Sequence, residues 1–226
     1  MTARRYDSRE LRALLARIHD EVPGTSRLLA RLRRRRRDPL LKVLMQTVLS
    51  HQTTGRQTRV AIRRLWARYH TLERVAAADP AELARLIDNV GLGRIKARRL
   101  VALAVEIKVQ WGSAQRLARY VRSAPLEDAR RALLELPGVG PKTAAVVLLF
   151  RFNRPTFPVD TNILRVAREL GWVRRSADPE EVRHLVERTL GSDPAVLLRA
   201  HAYLIALGRA TQRGRRPDLI DRLRVM

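Results

Sequence analysis

The sequence predicts an all-α protein, and three observations carry that prediction. Apolar residues recur with helical spacing, as in Ile62, Leu65, Trp66 and Tyr69, and again in Leu100, Leu103, Ala104, Ile107 and Trp111. Asp79-Pro80 and Asp178-Pro179 each join an N-cap to a first-turn proline and open an amphipathic run. The one segment that reads as extended, Thr156-Phe157-Pro158-Val159, is too short and too proline-broken to build a sheet. About ten short helices are expected from this pattern.

In chain order, Met1-Thr2-Ala3-Arg4-Arg5 lacks the apolar core of a secretion signal, so a cytoplasmic protein is expected. The run Arg33 to Arg37 is expected to be a solvated or phosphate-facing linker. Leu40 to Leu49 is apolar on nearly every face apart from Lys42, Gln46 and Thr47, which predicts a buried central helix. Val90-Gly91-Leu92-Gly93-Arg94-Ile95-Lys96-Ala97 reads as a glycine turn opening a helix, a faint echo of Gly138-Val139-Gly140-Pro141-Lys142-Thr143-Ala144. Residues 129–150 read as helix, tight hairpin, helix. Leu133 and Leu134 end the first helix. Gly138 and Gly140 are expected to turn with positive φ and to let a ligand approach the backbone closely. Pro141 suits the first turn of the second helix, whose free amides form an anion site that a DNA phosphate would fit. A plain helix–helix turn is the competing explanation. Asp160 is a natural N-cap for the helix carrying Ile163, Leu164 and Val166, and Gly171 and Gly191 sit where helix C-caps belong.

Composition narrows the function. The formal charge is +24, from 46 basic against 22 acidic residues, which points to a polyanionic partner such as nucleic acid. An arginine-rich proteome is the alternative source of that excess. Aromatics make up only 4%, which argues against a stacking platform for single strands. The chain has no cysteine, which excludes disulfides, thiol nucleophiles and cysteine-ligated clusters. No pair among the five histidines has zinc-motif spacing, so no metal site is expected. No apolar stretch approaches the roughly 20 residues of a membrane helix, so no membrane partner is expected.

Only four of the 46 cations are lysines: Lys42, Lys96, Lys108 and Lys142. Lys142 lies inside Leu136-Pro137-Gly138-Val139-Gly140-Pro141-Lys142-Thr143-Ala144. A guanidinium stays protonated, whereas an amine can lose its proton and attack carbon. Lysine kept at this one position therefore suggests a nucleophile. Chance, or an ammonium that binds phosphate, would also account for it. A capping role is the simpler reading of Asp160 alone; with Lys142 it makes a lysine–carboxylate pair beside a hairpin suited to DNA.

With these motifs the chain resembles the endonuclease III family of DNA base-excision glycosylases, from about Leu40 to Gly208. Those proteins belong to a superfamily named for a helix-hairpin-helix followed by a Gly/Pro-rich loop and an aspartate. Leu136 to Ala144 matches the hairpin with Lys142 at the catalytic lysine, and Val159-Asp160-Thr161 matches the catalytic aspartate segment. Leu49-Ser50-His51-Gln52-Thr53 resembles the loop whose glutamine fills the gap left by a flipped base, and Gly91-Leu92 resembles the wedge loop.

The resemblance implies two lobes with a DNA-binding cleft between them. One is a six-helix lobe over residues 36–154; the other joins residues 1–35 to residues 155–226. It implies a monomer, at the nucleoid, acting on lesions or abasic sites in double-stranded DNA, with oxidised pyrimidines as the expected bases. Gln52, Leu92, Gly138, Val139, Gly140, Thr143 and Asn162 would meet DNA. Lys142, partly desolvated, would form a Schiff base, and Asp160 would stabilise the sugar cation.

Two departures stand out. Most relatives end with four cysteines holding an iron–sulfur cluster, whereas Ala210 to Asp218 here has none, so no cluster is expected. Arg213, Arg215 and Arg216 are candidates for DNA contact in its place. Asn162 stands where many relatives have histidine, which leaves the damaged base open: alkylated or mismatched bases are the alternative. A non-enzymatic helix-hairpin-helix DNA-binding protein would need the hairpin but neither Lys142 nor Asp160.

Overall fold

The structure is a computed structural model that describes residues 7–212, 216 and 218–224. It is all α-helical, with no strand among the described residues. The chain divides into two compact units, Arg37–Phe152, and Met1–Arg36 together with Asn153–Met226.

The chain enters the second of these units with α1 (Ser8–Glu21) and α2 (Thr25–Arg34), and a 3-10 turn spans Arg35–Arg37. The arginine run expected as a linker is therefore the end of a helix. Arg33 and Arg34 close α2, where cations oppose the negative end of the helix dipole.

In the unit Arg37–Phe152, α3 (Leu40–Ser50) is the buried central helix that its apolar pattern predicts. Leu40, Leu41, Val43, Leu44, Met45, Val48 and Leu49 all lie in the core. Around it run α4 (Gly55–Arg68), α5 (Leu72–Ala76), α6 (Pro80–Leu86), α7 (Gly93–Trp111), α8 (Ala114–Ser123), α9 (Leu126–Leu134) and α10 (Pro141–Val146). A π turn, Val147–Arg151, follows α10. The helix face read from Leu100, Leu103, Ala104 and Ile107 packs into this core at 0% exposure, whereas Trp111 is only partly buried.

The chain then completes the unit that α1 and α2 began, with α11 (Thr161–Glu169), α12 (Pro179–Leu190), α13 (Pro194–Ala210) and α14 (Asp218–Arg224). The described residues thus form fourteen α-helices rather than ten. Short ones such as α5 are separated from their neighbours by turns that leave the apolar period almost unbroken.

The caps behave as their sequences imply. Asp79 accepts from the Ala81 amide at 2.9 Å, and Asp178 forms a capping box with Glu181. No helix is long and apolar enough to cross a membrane among the described residues.

Candidate nucleic-acid interface

The hairpin follows from a few local constraints. α9 ends at Leu134, and the Val139 amide donates to the Leu136 carbonyl at 3.0 Å to close the turn. Leu136 and Val139 are both buried, so their side chains anchor the hairpin. Val139 can therefore offer DNA only its backbone. Gly138 has φ +78°, where an L side chain is strained. Gly140 departs from expectation: its φ is −94° and ψ 179°, an extended conformation open to any residue. A Cβ there would meet nothing within 4 Å, so its value to a ligand is a bare, open backbone surface.

Gly140 caps α10 without a side-chain bond, and Pro141 takes the first helical position. Lys142 follows, and it is exposed rather than partly desolvated. The turn of the helix is the reason: Pro141 and Lys142 project outward, while Thr143 turns in to 1% exposure. Thr143 Oγ1 lies 3.3 Å from His51 Nε2, which links the hairpin to the Gln52 loop across 92 residues of sequence. Burial, then the charges of Lys142, Lys96 and Arg99, hold the His51 pKa below the ordinary imidazole value. His51 therefore favours the neutral form beside a cluster of cations.

The two expected gap-filling residues share a rare backbone state. Gln52 has φ +50° and Leu92 has φ +60°, and the only other non-glycine with positive φ among the described residues is Asn153. Asparagine tolerates the left-handed region, whereas glutamine and leucine each lose roughly 1–2 kcal/mol there. Both side chains face outward, Gln52 exposed and Leu92 52% exposed. Their loops are neighbours, since a Cβ on Gly91 would sit 3.8 Å from the Gln52 carbonyl oxygen. Strain held at exposed positions is the mark of side chains set for a partner.

Asp160 and Asn162 belong to the other unit. The extended segment before Asp160 is pinned at three points. Glu187 accepts from Thr156 Oγ1 at 3.0 Å and from the Phe157 amide at 2.7 Å, and buried His201 donates from Nδ1 to the Pro158 carbonyl at 2.9 Å. Asp160 then caps α11, its Oδ1 accepting from the Ile163 amide at 2.9 Å. A carboxylate has about four acceptor positions, so the cap leaves capacity for a ligand. Asn162 is partly buried against α13, where a Cβ on Gly208 would fall 2.7 Å from its own Cβ. Arg165 crosses the same contact, donating to the Gly208 carbonyl at 2.6 Å and to Thr211 Oγ1 at 3.0 Å.

The unit Arg37–Phe152 thus gathers Lys142, Gly138, Val139, Gly140, Thr143, Gln52 and Leu92, while Asp160 and Asn162 lie on the α11 terminus. Sequence reasoning assigned no role to His51 or Lys96. Their scarcity was the available signal, because Lys96 is one of four lysines and His51 one of five histidines.

The iron–sulfur cluster implied by the resemblance does not fit this chain, which offers no thiolate. Arg213 and Arg215 lie outside the described residues. Beyond them α14 is held by buried Leu219, Ile220 and Leu223. It is also held by arginines: Arg224 Nε donates to the Glu169 carbonyl at 2.5 Å, and Arg222 pairs with Glu21 at 3.0 Å.

Comparison with known proteins agrees with this geometry. Residues 45–191 match the HhH-GPD superfamily base excision DNA repair protein family. The endonuclease III of Thermotoga maritima is 35% identical over 156 residues, which is 69% of this chain and 67% of that protein. The endonuclease III of Rickettsia conorii is 34% identical over 176 residues, 78% of this chain and 77% of that protein. Among solved structures, a trapped endonuclease III–DNA covalent intermediate (an estranged-adenine complex) matches with a TM-score of 0.73 at 26% identity, covering 90% of this chain and 87% of that one.

Proposed function

This chain belongs to the HhH-GPD superfamily of base excision DNA repair proteins, and from that premise we propose that it removes oxidised pyrimidines from duplex DNA, with Lys142 as nucleophile and Asp160 as the stabilising carboxylate. It is a DNA glycosylase with abasic-site lyase activity. The observation that carries the assignment of roles is Lys142 itself: an exposed amine in the first turn of α10, behind the open Gly140 backbone, in a chain that uses arginine for 42 of its 46 cations.

The chemistry follows from those groups. A base must leave the stack before it can be cut, which costs a few kcal/mol, and Gln52 and Leu92 would occupy the space it vacates. As the glycosidic bond breaks, positive charge grows on the sugar, and the Asp160 carboxylate opposes it. The neutral amine of Lys142 attacks C1′ and the base departs with the bonding pair; the C1′–O4′ bond then opens, O4′ taking up the proton that the nitrogen loses, and an iminium links enzyme to the open sugar. Loss of a C2′ proton then expels the 3′ phosphate and nicks the strand. The hairpin backbone holds a phosphate while this occurs. The same reading has the protein working as a monomer at the nucleoid, in the cytoplasm, without an iron–sulfur cluster.

Borohydride trapping on matched duplexes tests the proposal. Duplexes carrying an oxidised pyrimidine should give the most trapped adduct. Asp160→Asn should lower base release by roughly a hundredfold while keeping hairpin binding, because asparagine also caps helices well. One observation favours a second reading: Asn162 packs tightly against Gly208 at the start of α11, reshaping the position next to Asp160. If alkylated purines or mismatched thymines are processed faster than oxidised pyrimidines, that reading replaces the first.

A further inference from the structure

Lys96 is among the largest of the almost fully buried side chains, at 2% exposure. A buried ammonium is expensive unless its donors are satisfied, and burial, followed by the charge of Arg99, lowers its pKa. Its partners are specific. Nζ donates to the Leu49 carbonyl at 3.1 Å and to Thr53 Oγ1 at 2.5 Å. Thr53 Oγ1 donates onward to the His51 carbonyl at 3.1 Å.

These contacts bracket one short loop. Leu49 lies in the last turn of α3, where carbonyls lack helical partners and the dipole favours a cation. Thr53 is just before Thr54, the N-cap of α4. Between them lies Gln52 at φ +50°. Lys96 itself sits in the first turn of α7, its amide bonded to the Leu92 carbonyl at 2.9 Å. A single side chain therefore ties both ends of the Gln52 loop to the turn that presents Leu92.

We propose that Lys96 is a positioning residue that locks the Gln52 loop to the Leu92 turn, so that the two gap-filling side chains meet DNA as one preformed unit. Arginine would serve poorly here, because its planar fork needs room that a nearly sealed slot lacks, whereas an ammonium directs its donors tetrahedrally. The lock also supplies what the left-handed backbone requires. Strain at Gln52 and Leu92 persists only where neighbouring contacts over-determine the conformation.

The proposal rests on the base-excision reading for its purpose, so its test uses gap filling rather than base release. The probe is a duplex with a tetrahydrofuran abasic analogue facing 2-aminopurine. Binding of the wild-type protein should change the fluorescence as side chains enter the gap. Lys96→Met should bind the duplex yet lose most of that change, and Thr53→Val should lose roughly half of it. Thr53→Ser, which restores the hydroxyl, should recover it. Should Lys96→Met fail to fold, the Thr53 pair decides alone, since Thr53→Val keeps the shape without the hydroxyl and Thr53→Ser keeps the hydroxyl. A full fluorescence change in folded Lys96→Met, or equal signals from Thr53→Val and Thr53→Ser, would overturn the lock. Normal gap filling by a wild-type protein that releases no base would instead count against the glycosylase reading and leave the lock standing.

Discussion

The hairpin at residues 136–144 and the neighbouring loops around Gln52 and Leu92 put the same backbone state to opposite uses. Each contains left-handed residues near the start of a helix, α10 in one case and α4 or α7 in the other. In the hairpin the left-handed residue is Gly138, which carries no side chain and no strain. In the loops it is glutamine or leucine, which carry both. The lysines divide the same way: Lys142 is exposed and aimed outward, while Lys96 is buried and bonded on two sides. The difference teaches what each region offers. The hairpin offers backbone and one exposed amine; the loops offer side chains, and a second lysine is hydrogen-bonded to both ends of one of them.

The largest expected effect breaks the hairpin's half of the comparison. Lys142→Arg keeps the charge and most of the DNA affinity, but arginine supplies no neutral amine at working pH. The borohydride-trapped adduct and the lyase nick should fall by at least about a thousandfold. Wild-type trapping by Lys142→Arg would reduce Lys142 to a phosphate ligand.

A smaller effect sharpens the comparison through opposite signs. Gly138→Ala puts a Cβ at φ +78° and should lower stability by about 1–2 kcal/mol. Gln52→Gly relieves strain of that size and gives back about 0.5–1 kcal/mol in chain entropy, so the protein should become slightly more stable. The same change should impair gap filling. Thermal melting beside the 2-aminopurine signal checks both. A Gln52→Gly protein that melts lower than wild type would show that the loop is not strained for use.

Much of this was legible beforehand for a physical reason: local rules are written locally. The buried α3, the Asp79 and Asp178 caps, the C-cap Gly191 and the left-handed Gly171 one residue past the Leu170 C-cap each depend on residues within one or two helical turns. The misreadings depend on geometry that periodicity does not carry. Lys142 and Gly140 took their exposure and dihedrals from the phase of α10, not from residue type. Lys96 was invisible as a buried residue because its partners Leu49 and Thr53 lie 47 and 43 residues away. The Arg33–Arg37 run suggested a linker by charge alone, although its residues extend a helix and a 3-10 turn.

The smallest expected effect concerns His51, which lies where the two regions meet. Its imidazole is half-buried, faces Thr143 and is surrounded by the charges of Lys142, Lys96 and Arg99. Those influences lower its pKa in the folded protein below the ordinary 6.5. Below that ordinary value the unfolded chain binds a proton that the folded chain still refuses, so stability must fall as pH drops. The loss should begin near pH 6.5, continue until the folded-state pKa is passed, and then level off. Its slope from this one group cannot exceed about 1.4 kcal/mol per pH unit. His51→Gln, which can still hydrogen-bond Thr143, should flatten that part of the profile while leaving the neutral-pH melt nearly unchanged. Chemical denaturation of both proteins between pH 5 and pH 8 measures the difference. Parallel profiles would mean that the cations around His51 are screened by water, and that the junction between hairpin and loop is held by packing alone.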